Sequence, residues 1–184
     1  AAGSKDASEF GNAVHAWTEA VDLGLCTVND VPLELRAHVA AYVAATRRAG
    51  ISPVAAYVER IVHNSVTGAA GRIDRIARLP DGSLVILDVK TTSNLSHGWL
   101  GIGVQLAQYA TGWGLLAEDG QAWEAMPPNL RTDIALVAHV PSTPDPKAGG
   151  VFCDLVVVDL KTGIEWMKVS RTVREIRSGK RHIN

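Results

Sequence analysis

The amino-acid sequence predicts an α/β fold in which a central mixed β-sheet is flanked by helices. Three observations carry this expectation. The 184 residues suffice for one domain with a real core. Segments of helical and strand character follow in the order helix, helix, three strands, helix, strand, strand, helix. An unbroken apolar run, Leu84-Val85-Ile86-Leu87, has the character of a buried strand. With 47% apolar and 20% charged residues, the composition is that of an ordinary globular chain.

Each element has a local reason. Asp6 with Glu9 fits a capping box that opens a first helix running to about Asp22. His15 and Glu19, four apart, share a face of it, and Gly11 lies one turn before His15. A second helix is expected after Asp30, with Pro32 in its first turn and Gly50 at its end. Leu35, Val39, Tyr42, Val43 and Thr46 give it a mostly apolar stripe. Pro53 then ends helical character. Residues 54–64, rich in β-branched side chains, predict a strand. Residues 68–71 make a turn and 72–79 a second strand; Pro80-Asp81-Gly82-Ser83 is a strong turn signal, and 84–90 form the third strand. These three strands are expected to make an antiparallel meander.

Residues 91–100 read as a polar loop carrying His97 and Trp99. Residues 104–116 predict a helix despite Gly112 and Gly114, whose cost to a helix implies close packing against a neighbour. Residues 121–130, with Pro127-Pro128, are a connector. Strands at 133–140 and 151–159 bracket a Pro/Gly-rich excursion at 141–150, and a helix over 162–178 closes the chain.

Charge is near neutral overall but uneven. Residues 161–184 hold seven Lys/Arg and two Glu, a net of +5, while the rest carries eleven Lys/Arg against seventeen Asp/Glu, a net of −6. The tail is thus a candidate surface for a polyanion, and the body is not broadly basic. No run approaches the roughly eighteen apolar residues of a membrane span. The first residues contain no apolar signal region and no initiating methionine, which fits a chain cut from a longer one. Cys26 and Cys153 lie far apart without metal-ligand spacing, so a reduced intracellular, cytoplasmic setting is expected.

The chemistry concentrates at the end of the third strand. Buried strands do not usually end in an acid and a lysine spaced by two, and residues i and i+2 of a strand project to one face. Asp88 and Lys90 therefore emerge together. Asp74, in Gly71-Arg72-Ile73-Asp74, lies fourteen residues earlier, on the preceding strand. Two acids beside one ammonium suit metal-assisted phosphodiester cleavage: carboxylates hold a hard divalent ion, and a lysine positions or activates the attacking water.

Four motifs in order resemble the PD-(D/E)XK nuclease superfamily, most closely its RecB-like exonuclease branch. Phe10-Gly11-Asn12-Ala13-Val14-His15 resembles the branch's Gly-x-x-x-His helix, and Gly71-Arg72-Ile73-Asp74 its Gly-x-x-Asp. Asp88-Val89-Lys90-Thr91 resembles its Asp-x-Lys-Thr, and Gln105-Leu106-Ala107-Gln108-Tyr109 its Gln-x-x-x-Tyr helix. The resemblance spans about residues 10 to 110 and implies a restriction-endonuclease-like αβββαβ core. It implies that Asp74 and Asp88 bind Mg²⁺ or Mn²⁺, with His15 and the Val89 carbonyl as further ligands. Lys90 would orient the water, and Gln105 and Tyr109 would support the site or contact DNA. A metal-dependent DNA exonuclease of recombination, repair or phage DNA metabolism follows, in the host cytoplasm if phage-encoded, with a helicase or recombination factor as partner or fused domain.

Ile73 stands where the superfamily's motif has proline. Two cysteines cannot supply the four thiolates of an iron–sulfur cluster that some relatives carry, so none is expected. Two other functions share the scaffold: a catalytically silent DNA-binding or assembly module, and an RNA-directed nuclease. Asp88 and Lys90 also fit a salt-bridged strand end, Asp74 a hairpin cap between Arg72 and Arg75, and Glu59 either an extra acid or a solvated strand residue. His38, His63, His97, His139 and His182 default to structural roles, with substrate contact the alternative for His97, which lies close to the third motif. Lys168, Arg171, Arg174 and Arg177 recur at helical spacing, either as a solvated face or as phosphate contacts that position DNA. Trp99 and Trp113 are candidates for stacking on bases, with core packing the simpler role for Trp113.

Overall fold

The computed structural model describes residues 2–96, 98–144 and 149–179, with side chains from residue 7 onward; His97 and His182 lie outside the described residues. Helix α1 (Ala2–Asp22) and helix α2 (Leu33–Arg48) come first, followed by the short strand β1 (Ser52–Pro53). Strands β2 (Ile61–Asn64), β3 (Ala69–Arg72), β4 (Arg75–Arg78) and β5 (Leu84–Lys90) lead to helix α3 (Trp99–Ala110). Strands β6 (Gly114–Leu116), β7 (Trp123–Ala125), β8 (Ile134–His139) and β9 (Asp154–Asp159) precede the closing helix α4 (Leu160–Arg177). No helix among the described residues is long and apolar enough to cross a membrane.

The strands form two sheets. The larger has the order β1-β4-β5-β8-β9 and is mixed, because β5 runs parallel to β8 while its other pairings are antiparallel. The smaller, β3-β2-β6-β7, is antiparallel throughout. Strand β5 is the centre of the larger sheet and explains how helices cover both faces. Its alternate residues Val85, Leu87 and Val89 pack with Tyr42, Val43 and Ala45 of α2. Leu84 and Ile86 pack with Ile102, Leu106 and Ala107 of α3. The strand's period of two then carries Asp88 and Lys90 onto the α3 side.

The expected meander over 54–90 is corrected. Residues 54–64 do not form one strand: residues 55–57 make a 3-10 turn, Glu59 adopts φ 55°, and only Ile61–Asn64 is extended. A left-handed glutamate interrupts a ladder that its β-branched neighbours would otherwise continue. The hairpin of β2 and β3 thereby belongs to the smaller sheet and β4 to the larger. Between the sheets the two segments stay paired, with Glu59 N donating to Asp74 O at 2.9 Å and Ile73 N to Arg60 O at 2.9 Å.

The helix expected over 104–116 is also corrected, running instead from Trp99 to Ala110. A Cβ on Gly112 would lie 2.3 Å from Val62 Cγ2, and one on Gly114 2.8 Å from Glu124 O. The glycines do mark close packing, but of a turn and a strand against β2 and β7. Within the expected connector, Trp123–Ala125 is the edge strand of the smaller sheet. The first helix begins at Ala2, ahead of the anticipated cap at Asp6, in keeping with the alanines of its first turns. The last begins at Leu160 rather than 162, capped by Asp159, whose carboxylate accepts from Lys161 N at 2.8 Å. Helix α2 ends as anticipated, since Gly50 follows its last turn with φ 66°. Where α4 crosses α3, a Cβ on Gly163 would lie 2.3 Å from Gly103 O, so the two backbones touch.

Candidate active site

The site is built on the last turns of β5. Asp88 is 1% exposed, and its Oδ2 lies 2.7 Å from Lys90 Nζ. Its Oδ1 is buried and has no hydrogen-bond partner among the described residues. Burial, and then the charge of Asp74, push the Asp88 carboxyl up to about 6, against the opposing pull of Lys90. Lys90 meets one oxygen of this carboxylate and leaves the other without a partner in the interior.

Asp74 occupies the crossing between β3 and β4. Its Oδ2 accepts a hydrogen bond from Val89 N at 2.8 Å, which fixes the second acid to the strand bearing the first. His15 approaches from α1, with Nδ1 3.5 Å from Asp74 Oδ2. Burial lowers the His15 pKa most; Arg75 and Lys90 lower it further, while Asp74 and a hydrogen bond to the Val89 backbone oppose this. The imidazole is therefore neutral near pH 7, the form that can bind a metal. Gly11, one turn earlier, sets α1 against Thr91: a Cβ there would lie 3.8 Å from Thr91 Cβ, an ordinary contact that does not itself demand glycine.

Helix α3 closes the other side. Lys90 Nζ reaches Gln105 Oε1 at 3.5 Å, and Gln105 Nε2 donates to Tyr109 Oη at 3.1 Å. The four-residue spacing puts both side chains on one helical face. A Cβ on Gly71 would lie 2.7 Å from Tyr109 Cε1, so this glycine exists to let the ring lie against β3. Gly71→Ala is expected to cost about 1–3 kcal/mol through overpacking of a buried ring. Chemical denaturation checks this, and Tyr109→Leu in the same chain should recover most of the loss. Equal stability of Gly71→Ala and the parent chain would show that the ring yields freely.

The structure thus brings together Asp74, Asp88, Lys90, His15, Val89, Gln105 and Tyr109. One residue central to the arrangement was not anticipated. Arg75 is fully buried, with Nε 2.6 Å from Asp22 Oδ2, a second nitrogen donating to Thr18 Oγ1 at 2.8 Å, and its guanidinium 5.6 Å from the Tyr42 ring centre. Tyr42 Oη donates to the same Asp22 oxygen at 2.8 Å. Arg75 also lies 3.9 Å from Asp74 Oδ2, so it fastens both α1 and α2 to the strand that follows the acid. The signal available in sequence was an arginine set among Ile73, Ile76 and Ala77.

Beside His15 and Asp74 opens a cleft of about 570 Å³, lined also by Asn12, Ala16, Glu19, Glu59 and Arg72. Glu59 is paired with Arg72 Nε at 3.0 Å, and burial, followed by Asp74 and Glu19, raises its pKa. Glu59 is thus salt-bridged rather than simply solvated, and it lines the same cleft as Asp74. The remaining described histidines lie elsewhere: His38 packs edge-on to Phe10 at 4.9 Å, His139 Nε2 is 3.0 Å from Thr92 O, and His63 stands among tryptophans. On α4, Arg174 hydrogen-bonds Thr67 O and Arg171 Nε is 2.7 Å from Glu175 Oε1, so part of the basic face is engaged within the protein.

Among the described residues no three His, Cys, Asp or Glu side chains stand gathered as a finished metal cage. The fit to a divalent ion rests instead on the chemistry of the donors: a buried carboxylate oxygen without a partner, a second acid beside it, and a neutral imidazole. Oxygen-rich sets of this kind suit hard cations such as Mg²⁺.

Residues 2–148 match the PD-(D/E)XK nuclease superfamily, and the chain belongs to it. Members are nucleases that hydrolyse phosphodiester bonds of nucleic acids, generally with divalent metals. Comparison with curated proteins gave no match.

Proposed function

We propose that this chain is a DNA exonuclease of the RecB-like type, dependent on Mg²⁺ or Mn²⁺ and acting in recombination, repair or phage DNA metabolism. The observation that carries the reading is the buried Asp88 carboxylate, one oxygen unpartnered and the other 2.7 Å from Lys90, with Asp74 tied to the intervening residue. Asp74 and Asp88 would hold the cation, with the His15 imidazole and the Val89 carbonyl as further donors beside them. When bound, the ion neutralises charge on the phosphate and makes a bound water acidic enough to supply hydroxide near neutral pH. Lys90 orients the attacking water and stabilises the negative charge that develops on the phosphate oxygens. Gln105, held by Tyr109, keeps the ammonium from folding away from the reacting group. The neutral His15 competes with no cation for the site, as a protonated imidazole would.

End-labelled linear DNA and covalently closed DNA, each with Mg²⁺, Mn²⁺ or EDTA, test the proposal beside Asp88→Ala and Lys90→Ala. The expected result is metal-dependent loss of linear DNA only, abolished by both substitutions. Cutting of closed DNA would change the mode to endonuclease, and preference for RNA would change the substrate. DNA binding without any cleavage, indifferent to EDTA, would leave a silent binding module.

A further inference from the structure

The smaller sheet carries a feature that stability does not require. Trp113 is 60% exposed and Trp123 43% exposed, although both are large enough to contribute strongly to a core. Their rings are 6.3 Å apart and inclined at 57°, and the His63 ring lies 5.6 Å from Trp123 and 6.4 Å from Trp113. The three rings and Ser65 line an open hollow of about 360 Å³. Core packing, the simpler expectation for Trp113, is overturned.

The trio is held by backbone. Trp113 N donates to His63 O at 2.7 Å, His63 pairs with Gly114, and Leu116 pairs with Trp123. Below it, the buried Asn64 donates to Gln108 O at 2.9 Å and accepts from Val66 N at 3.0 Å, which shapes the turn after β2. Ser65 also lines a second hollow of about 440 Å³, whose wall includes Arg171, Arg174 and Glu175, the ion-pair partner of Arg171. Flat apolar rings therefore adjoin guanidinium groups along one surface. On its other side, His63 pairs with Ala70, next to Gly71 on the strand that leads to Asp74.

We propose that His63, Trp113 and Trp123 form a subsite that stacks the unpaired bases of a single-stranded nucleic acid, whose phosphates pass over the hollow of Arg171 and Arg174. The proposal rests on the nuclease reading above, because it takes the ligand from that substrate class. Single strands are bound by this combination: every base offers a π-face to an aromatic ring, while cations track the backbone without reading sequence. Duplex DNA keeps its base faces stacked inside and gains only the phosphate contacts.

The test uses the full chain carrying Asp88→Asn, without divalent ions, titrated with a twelve-residue oligothymidylate, an oligouridylate and a blunt duplex. Tryptophan emission and filter binding are read together. Either single strand is expected to quench the emission, and Trp113→Ala with Trp123→Ala to weaken single-strand binding at least about tenfold, given the worth of one stacked base. Duplex binding should change little, and Trp113→Phe should retain most of the affinity. Arg171→Ala is expected to reduce the salt dependence of binding. Unchanged single-strand affinity in the double tryptophan variant would overturn the subsite, as would a wild-type dimer that the same substitutions dissociate. With the native Asp88, metal-dependent hydrolysis of bis(p-nitrophenyl) phosphate, which has no base to stack, should be equal in the wild type and the tryptophan variants; a parallel loss there would mean general damage and overturn the proposal. If wild type binds and quenches as expected but fails to hydrolyse that ester, the subsite stands and the nuclease reading falls.

Discussion

Asp88→Asn is expected to lower metal-dependent cleavage by at least about 100-fold, the scale of losing one preorganised charge at a transition state, and yet to stabilise the metal-free protein at pH 8 relative to pH 4. The carboxyl titrates at about 6 in the fold because burial and Asp74 disfavour its charge. An unfolded aspartate titrates near about 3.9. Between these values the folded state holds the proton more tightly, so this group's contribution is most favourable below the unfolded value and is lost as pH rises to about 6. The loss is on the order of 3 kcal/mol. Asparagine does not titrate, so the stability difference between variant and wild type, measured by urea unfolding in EDTA, should move in the variant's favour across that window and stay level above it. Mg²⁺ should raise the melting temperature of the wild type and leave that of the variant unchanged. A stability difference independent of pH would contradict the account of a carboxylate strained by burial.

Arg75→Ala should be the most damaging substitution to the fold, costing about 3–5 kcal/mol, because it strands the Asp22 carboxylate in the interior. Burial already raises the Asp22 pKa despite the opposing hydrogen bonds from Arg75 and Tyr42. For a chain of this size the loss corresponds to a fall in melting temperature of about 10 °C. Arg75→Lys should recover only part of it, since an ammonium cannot reach Asp22 and Thr18 in a fork and lie on Tyr42 as well. Replacing Asp22 and Arg75 together by Leu and Met should cost much less than Arg75→Ala alone. If the double replacement is the worse of the two, the pair is a net source of stability rather than a mutual neutralisation.

The residues of the candidate site were legible because their types conflict with their surroundings. An acid and a lysine ending the run Leu84-Val85-Ile86-Leu87 have few structural reasons to exist, and the strand period alone sends them to one face. Helix α2 was equally readable from its stripe and from the glycine after it. The division into two sheets was not, since it hangs on the backbone of Glu59 and on pairing with residues 72–74, neither of which leaves a periodic trace. Gly112 and Gly114 announced close packing without naming the neighbour, and only the pairing of β6 with β2 and β7 supplies it. The role of Arg75 depends on Asp22, 53 residues earlier, and Trp113 reads as core although the fold leaves it largely exposed.

The contacts that gather the site differ greatly in how far along the chain they reach. Asp88 meets Lys90 within one strand, and Asp74 meets Val89 across a tight hairpin at a separation of 15. His15 and Asp22 come from the opposite end of the elements, at a separation of 53 for the Asp22–Arg75 bond. Closing the shorter loop loses less entropy, so the hairpin with its two acids should form early and α1 should dock late. During synthesis α1 emerges first and can pack only against α2 until residues 74–90 follow. On the functional reading proposed above, a nascent or partly unfolded chain then holds acids and lysine but not the histidine, and the capacity to cut arrives only with the last step of folding.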